Sequence, residues 1–122
     1  MALLYYSDEE VADLSWIVRD RDGALINLTS WTYSVRYIRV ATNDLIDSQT
    51  TGATVAATSP NFVLNTFAAA SLTAITTSLT TTVPASSAVF RIVPYLTLAG
   101  TGDMALKASG KPLEVTFALP AS

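Results

Sequence analysis

Positions 48–90 contain no Asp, Glu, Lys or Arg, and this charge-free run of 43 residues constrains the chain more than any other feature. A Thr-, Ser- and Ala-rich segment of that length reads at first as a low-complexity linker. Val55, Phe62, Leu64, Phe67, Leu72, Ile75, Leu79 and Val83 recur through it too regularly for that, so it is expected to be folded. A folded segment without charges has two ways to satisfy its surface. Its hydroxyls bond locally with most of the segment interior, or it lies against another subunit. The rest of the composition favours the second: charged residues make up 14% of the chain against about 25% in a typical soluble domain. Hydrophobic residues make up 50%, and the mean hydropathy is +0.39. A subunit packed among neighbours covers such a surface, whereas a monomer would have to be solvated mainly by Thr and Ser.

At 122 residues the chain is expected to form one domain, 1–122. Surface scaling for this mass lets about two-thirds of the extended-chain surface be buried, enough for one core without covalent staples. Disulfides are excluded, because there is no Cys; nor is a thiol nucleophile or a cysteine zinc site available. The absence of His removes the commonest general base and metal ligand. A net charge of -3 disfavours nucleic acid as a partner. No window offers 18 consecutive apolar residues, so no membrane helix is expected. The opening MALLYYSDEE lacks a basic region before its short apolar stretch, so no secretory leader is read and the chain is expected to stay in the cytosol. The glycosylation triplet Asn27-Leu28-Thr29 is then expected to go unused.

Strand periodicity dominates the flanks. Leu14, Trp16 and Val18 alternate with Ser15, Ile17 and Arg19, as in a half-buried strand. Asp20-Arg21-Asp22-Gly23 then predicts a tight reversal into Ala24, Leu25 and Ile26, forming a hairpin. In WTYSVRYIRV, Trp31, Tyr33, Val35 and Tyr37 share one face, expected to be core. Shorter strands are expected at 44–48, 54–58 and 61–65. Leu72, Ile75 and Leu79, spaced three and four apart, predict a short helix, weakened by Thr73, Thr76, Thr77 and Thr80. A long strand over 88–98 contains Pro94, which demands an edge position or a bulge. Gly100 and Gly102 turn the chain, and Leu113, Val115 and Phe117 alternate in a last strand. Seven or so strands with one short helical insert indicate an all-β sandwich. Its expected core is Leu14, Trp16, Val18, Trp31, Tyr33, Val35, Phe90, Ile92, Leu113, Val115 and Phe117.

Candidate chemistry is sparse. Asp20 and Asp22 lack the further alternating ligands and terminal Glu of a calcium loop, so a turn is the better reading. Asp8, Glu9, Glu10 and Asp13 form the densest acidic cluster; carboxylate pairs do glycosidic work across a cleft, but neighbours in sequence read as a solvated face. Arg19, Arg21, Arg36, Arg39 and Arg91 are expected to pair with carboxylates of this subunit or a neighbour, with Arg36 and Arg39 on opposite faces of a strand. A Ser or Thr nucleophile would have only Lys107, Lys111 or a carboxylate as its base, which argues against catalysis. Gly100-Thr101-Gly102 lacks the further residues of a phosphate loop. Trp16, Trp31, Tyr33, Tyr37 and Tyr95 would make a carbohydrate platform if exposed together, but alternation assigns the tryptophans to the core. No catalytic, cofactor-binding or metal-binding residue is assigned.

The order of elements nevertheless carries a resemblance. A strand runs into Asp20, Asp22 and Gly23, then Leu28 and Thr29, then a strand bearing Arg36; later come Phe90, Gly110 and Val115. This pattern resembles the small phage tail and baseplate proteins related to the N-terminal domain of the baseplate upper protein. Ser30 stands where that family usually has Gly, and Phe90 where it has Tyr. The resemblance implies an immunoglobulin-like antiparallel β-sandwich. It also implies a non-enzymatic, multi-copy structural protein of a bacteriophage virion, made in the host cytoplasm, without cofactors, whose partners are other virion structural proteins. A tail, baseplate or fibre position comes first; a capsid decoration (cement) protein or head-tail connector component is the alternative. A carbohydrate-binding module is a more distant one, and requires two or three aromatics exposed on one face.

Overall fold

The computed structural model describes residues 3–20, 22–98 and 106–120. The turn expected at Gly100 and Gly102, Arg21 and the side chain of Lys107 lie outside the described residues. In chain order the elements are β1 (Leu3–Tyr6), β2 (Val11–Trp16), β3 (Thr32–Arg39), β4 (Asp44–Gln49), β5 (Ala53–Val55) and β6 (Phe62–Thr66). There follow α1 (Ala69–Thr77), a π-helical turn (Ser78–Thr82), β7 (Ser87–Leu98), β8 (Leu106–Ser109) and β9 (Leu113–Ala118). The larger sheet has the order β1-β9-β7-β3-β4, with β8 also on β7; the smaller is β2-β6-β5. The fold is an all-β sandwich with one short helical insert. Two strands, β1 and β8, exceed the seven or so expected. The antiparallel expectation also needs one correction: β1 runs parallel to β9, pairing Leu3 with Val115 and Tyr6 with Ala118.

Period-two alternation builds the core. In β2, Ala12, Leu14 and Trp16 are buried between exposed Val11, Asp13 and Ser15, and Phe62 and Leu64 of β6 join them on the smaller sheet's inner face. Val35, Tyr37, Phe90, Ile92, Leu96, Val115 and Phe117 meet them from the larger sheet. Phe67, just after β6, packs edge-on against Tyr5 at 5.1 Å and Phe117 at 5.3 Å, a geometry worth about 0.5–1.5 kcal/mol per pair beyond the area buried. Of the expected core, Trp31, Tyr33 and Leu113 are only half-buried. All three lie at strand ends: Trp31 just precedes β3, Tyr33 is its second residue and Leu113 begins β9.

The expected hairpin is present, with a short ladder. Gly23 takes φ +87°, and its N–H donates to the Asp20 carbonyl at 3.0 Å. Beyond it the arms share the bridge Arg19 to Leu25, with the Asp20 N–H donating to the Ala24 carbonyl at 2.9 Å and the Ile26 N–H to the Val18 carbonyl at 3.3 Å. The ladder goes no further because of Asn61, fully buried, whose Oδ1 accepts the Val18 N–H at 2.8 Å and whose Nδ2 donates to the carbonyls of Val18 and Ile26. A side chain thus takes two of the groups that a longer ladder would have used, the Val18 N–H and the Ile26 carbonyl.

Pro94 sits neither at an edge nor in a bulge. It lies inside β7, opposite Val35 of β3. Its carbonyl accepts the Gly110 N–H at 2.9 Å, so its nitrogen, on the same side, points away from β3. On that side β9 pairs with β7 as far as Ile92, and β8 begins at Tyr95. The missing donor therefore falls where the neighbouring strand changes. Gly110 is required there because a Cβ would come within 2.5 Å of the Pro94 ring and 3.0 Å of the Trp16 indole.

Candidate interaction surface

The charge-free segment folds as both core and surface. Phe62, Leu64, Phe67, Leu72, Ile75, Leu79 and Phe90 point inward. Thr73, Thr77, Thr80, Thr81 and Thr82 remain exposed along α1 and the π-helical turn, making an uncharged hydroxyl ridge. The helix tolerates these threonines partly because Thr73 and Thr80 return their hydroxyls to the carbonyls four residues back, at 3.0 and 2.8 Å. No side chain caps Ala68 at its start; instead Gln49 Oε1 accepts the Ala68 N–H at 2.9 Å.

Arg39 anchors the ridge's far end. It follows Val35 and Tyr37 at a spacing of two, so it projects into the interior, 3% exposed. Among the described residues it does not find the expected carboxylate partner. Its Nη1 donates to the Ser78 carbonyl at 2.9 Å, the Ser78 Oγ at 3.0 Å and the Val83 carbonyl at 2.8 Å. A cation at the carbonyl end of a helix is favourably placed against the helix dipole, which replaces the missing counter-ion in part. Ser71 Oγ donates to Asp47 Oδ2 at 2.8 Å and ties the helix to β4 midway. Beside it, the Tyr37 hydroxyl donates to Gln49 Oε1, and Gln49 Nε2 donates to the carbonyls of Thr51 and Thr66. Burial pushes the Tyr37 hydroxyl far above its usual range, and the Asp47 charge adds to this, so it remains a donor.

The other candidates are dispersed. Asp20 Oδ1 accepts the N–H groups of Asp22 and Ala24, both at 2.9 Å, so this carboxylate builds the turn. Among the described residues no group of three or more acidic side chains is arranged to hold a metal. Asp8, Glu9, Glu10 and Asp13 are all exposed, with Asp8 and Glu10 bordering an open groove beside Thr73 and Thr76. Arg91 lies 3.9 Å from Glu114, Arg19 Nη1 donates to the Gly23 carbonyl at 2.9 Å, and the Arg36 guanidinium stacks 4.1 Å from the Tyr95 ring centre. Only Arg91 of these three thus has the expected carboxylate within 4.0 Å among the described residues.

The aromatics do not share a face. Trp16 is buried against Phe62, with its Nε1 donating to the Lys111 carbonyl at 2.8 Å; Tyr33 and Tyr37 turn inward, and Tyr95 lies outward under Arg36. Sequence reasoning missed Gln49, Asn61, Ser71 and Ser78 as buried polar anchors. Only Arg39 carried a readable signal, its phase with Val35 and Tyr37. No family model and no curated protein matches the chain. Among the described residues no helix is long and apolar enough to cross a membrane.

Proposed function

We propose that this chain is a non-enzymatic structural subunit of a bacteriophage virion, present in many copies in the tail, baseplate or a fibre and built as an immunoglobulin-like sandwich. The strand order supports the fold part of this reading: β9-β7-β3 facing β2-β6-β5 matches the order of an immunoglobulin domain's G-F-C and B-E-D strands. The observation that carries the role is the ridge of Thr73, Thr77, Thr80, Thr81 and Thr82, exposed and uncharged over its whole length. Hydroxyls pair across an interface without the cost of desolvating ions, whereas a solvated ridge ordinarily intersperses charges.

The test replaces Thr77 or Thr81 with Glu. Each variant is expected to fold normally by circular dichroism and to enter phage particles poorly, because an unpartnered carboxylate is stranded at a covered surface at a cost of roughly several kcal/mol. Normal incorporation of several folded variants would place the ridge in solvent and move the contacts to the charged N-terminal third.

A further inference from the structure

On the outer face of the larger sheet large apolar side chains stand among polar ones, where a solvated face is normally polar. Strand register sets Leu4, Thr116 and Val89 in one row across β1, β9 and β7. The next row runs Glu114, Arg91, Ile38 and Leu45 across β9, β7, β3 and β4. Leu4 is 58% exposed, Leu45 57%, Tyr6 44% and Val89 40%, so large apolar side chains stand in water from one edge of the sheet to the other. Five strands at about 4.8 Å spacing and some six residues of strand length give a projected area near ~500 Å², before side-chain relief is counted; a standard interface buries about 800 Å² per partner.

We infer that this face docks onto the same face of a second copy, the two sheets packing outer face to outer face across a two-fold axis. The charges single out this occupant. Arg91 and Glu114 are neighbours of opposite sign on this face, and their own contact, at 3.9 Å with Glu114 exposed and Arg91 half-buried, contributes little to the isolated chain; Arg36, on the same face, is already stacked on Tyr95. A two-fold axis between them sets Arg91 of each copy against Glu114 of the other, so the face is complementary to itself. A partner of uniform charge would leave one of the two unmatched. The inference takes from the proposed function only that copies of the chain meet; it adds which surface joins them.

The test is sedimentation equilibrium of the full chain between about 1 and 200 μM, alongside Val89→Glu, Arg91→Glu, Glu114→Arg and the double reversal Arg91→Glu/Glu114→Arg, all checked for folding by circular dichroism. The parent chain is expected to dimerise within this range and Val89→Glu to remain monomeric. Each single reversal should weaken the dimer roughly tenfold or more, and the double reversal should recover it. A monomeric parent at the highest concentration, a Val89→Glu variant that dimerises normally, or a double reversal no better than the singles would each overturn the inference. The virion reading stands apart from these results: a monomeric parent that still enters particles defeats only this interface, and a Val89-dependent dimer absent from particles defeats only the virion role.

Discussion

Asn61 makes three hydrogen bonds from a fully buried side chain, and replacing it with Ala tests whether a side chain in place of a longer ladder holds the 18–26 reversal. Not all three partners lose equally. The Val18 carbonyl also accepts the Ile26 N–H at 3.3 Å, so it keeps a donor. The Val18 N–H and the Ile26 carbonyl keep none among the described contacts. An unsatisfied buried backbone group costs about 1–3 kcal/mol, so two orphans set a range of roughly 2–6 kcal/mol. Water entering the vacated space offsets part of this, and the expected loss is about 2–4 kcal/mol. Urea denaturation followed by tryptophan fluorescence should show a lower midpoint with an unchanged slope. Asn61→Asp sharpens the test. Its carboxylate still accepts from Val18 but faces two carbonyls, so its pKa is expected to be raised in the folded state. The protonated acid donates to one of them. The stabilisation from that proton is full below the unfolded Asp value of about 3.9 and is lost as pH rises through the folded value, so Asn61→Asp should approach the parent near pH 4 and fall well below it at pH 7. An Asn61→Ala loss under about 0.5 kcal/mol, or an Asn61→Asp deficit independent of pH, would refute the reasoning.

Gly110→Ala should destabilise the domain by about 1–3 kcal/mol, because its methyl meets the Pro94 ring and the Trp16 indole; a thermal melt at the parent's temperature would contradict that close packing. Alkaline pH should unfold the domain cooperatively: Tyr37 keeps its proton when folded and loses it above pH about 10 when unfolded, so stability falls by about 1.4 kcal/mol per pH unit from there upward. Tyr5, raised by burial and then by the charges of Asp13 and Glu9, acts in the same direction. Tyr37→Phe should flatten the alkaline slope of denaturant midpoints; an unchanged slope would mean that Tyr37 does not govern it.

Much of the sandwich was legible in the chain because period-two alternation is a local property. Leu14, Trp16, Val35, Phe90, Ile92, Val115 and Phe117 announce a buried face from their own neighbours, and the helix spacing of Leu72, Ile75 and Leu79 does the same. The lack of charge over 48–90 likewise pointed to a surface of hydroxyls, of which the threonine ridge is the part left outside the core. Pairing was not legible. The parallel place of β1 on β9 and the change from β9 to β8 beside Pro94 depend on strands distant in sequence, and the latter turns a residue that forbids most interior positions into one that fits. The buried polar anchors were hidden for the same reason. Arg39, Gln49 and Asn61 are ordinary surface residue types, and each is held inside only because backbone groups up to 44 residues away along the chain arrive to meet it. A sequence states which side chains avoid water, but which polar group finds a partner is decided only when the sheets close around it.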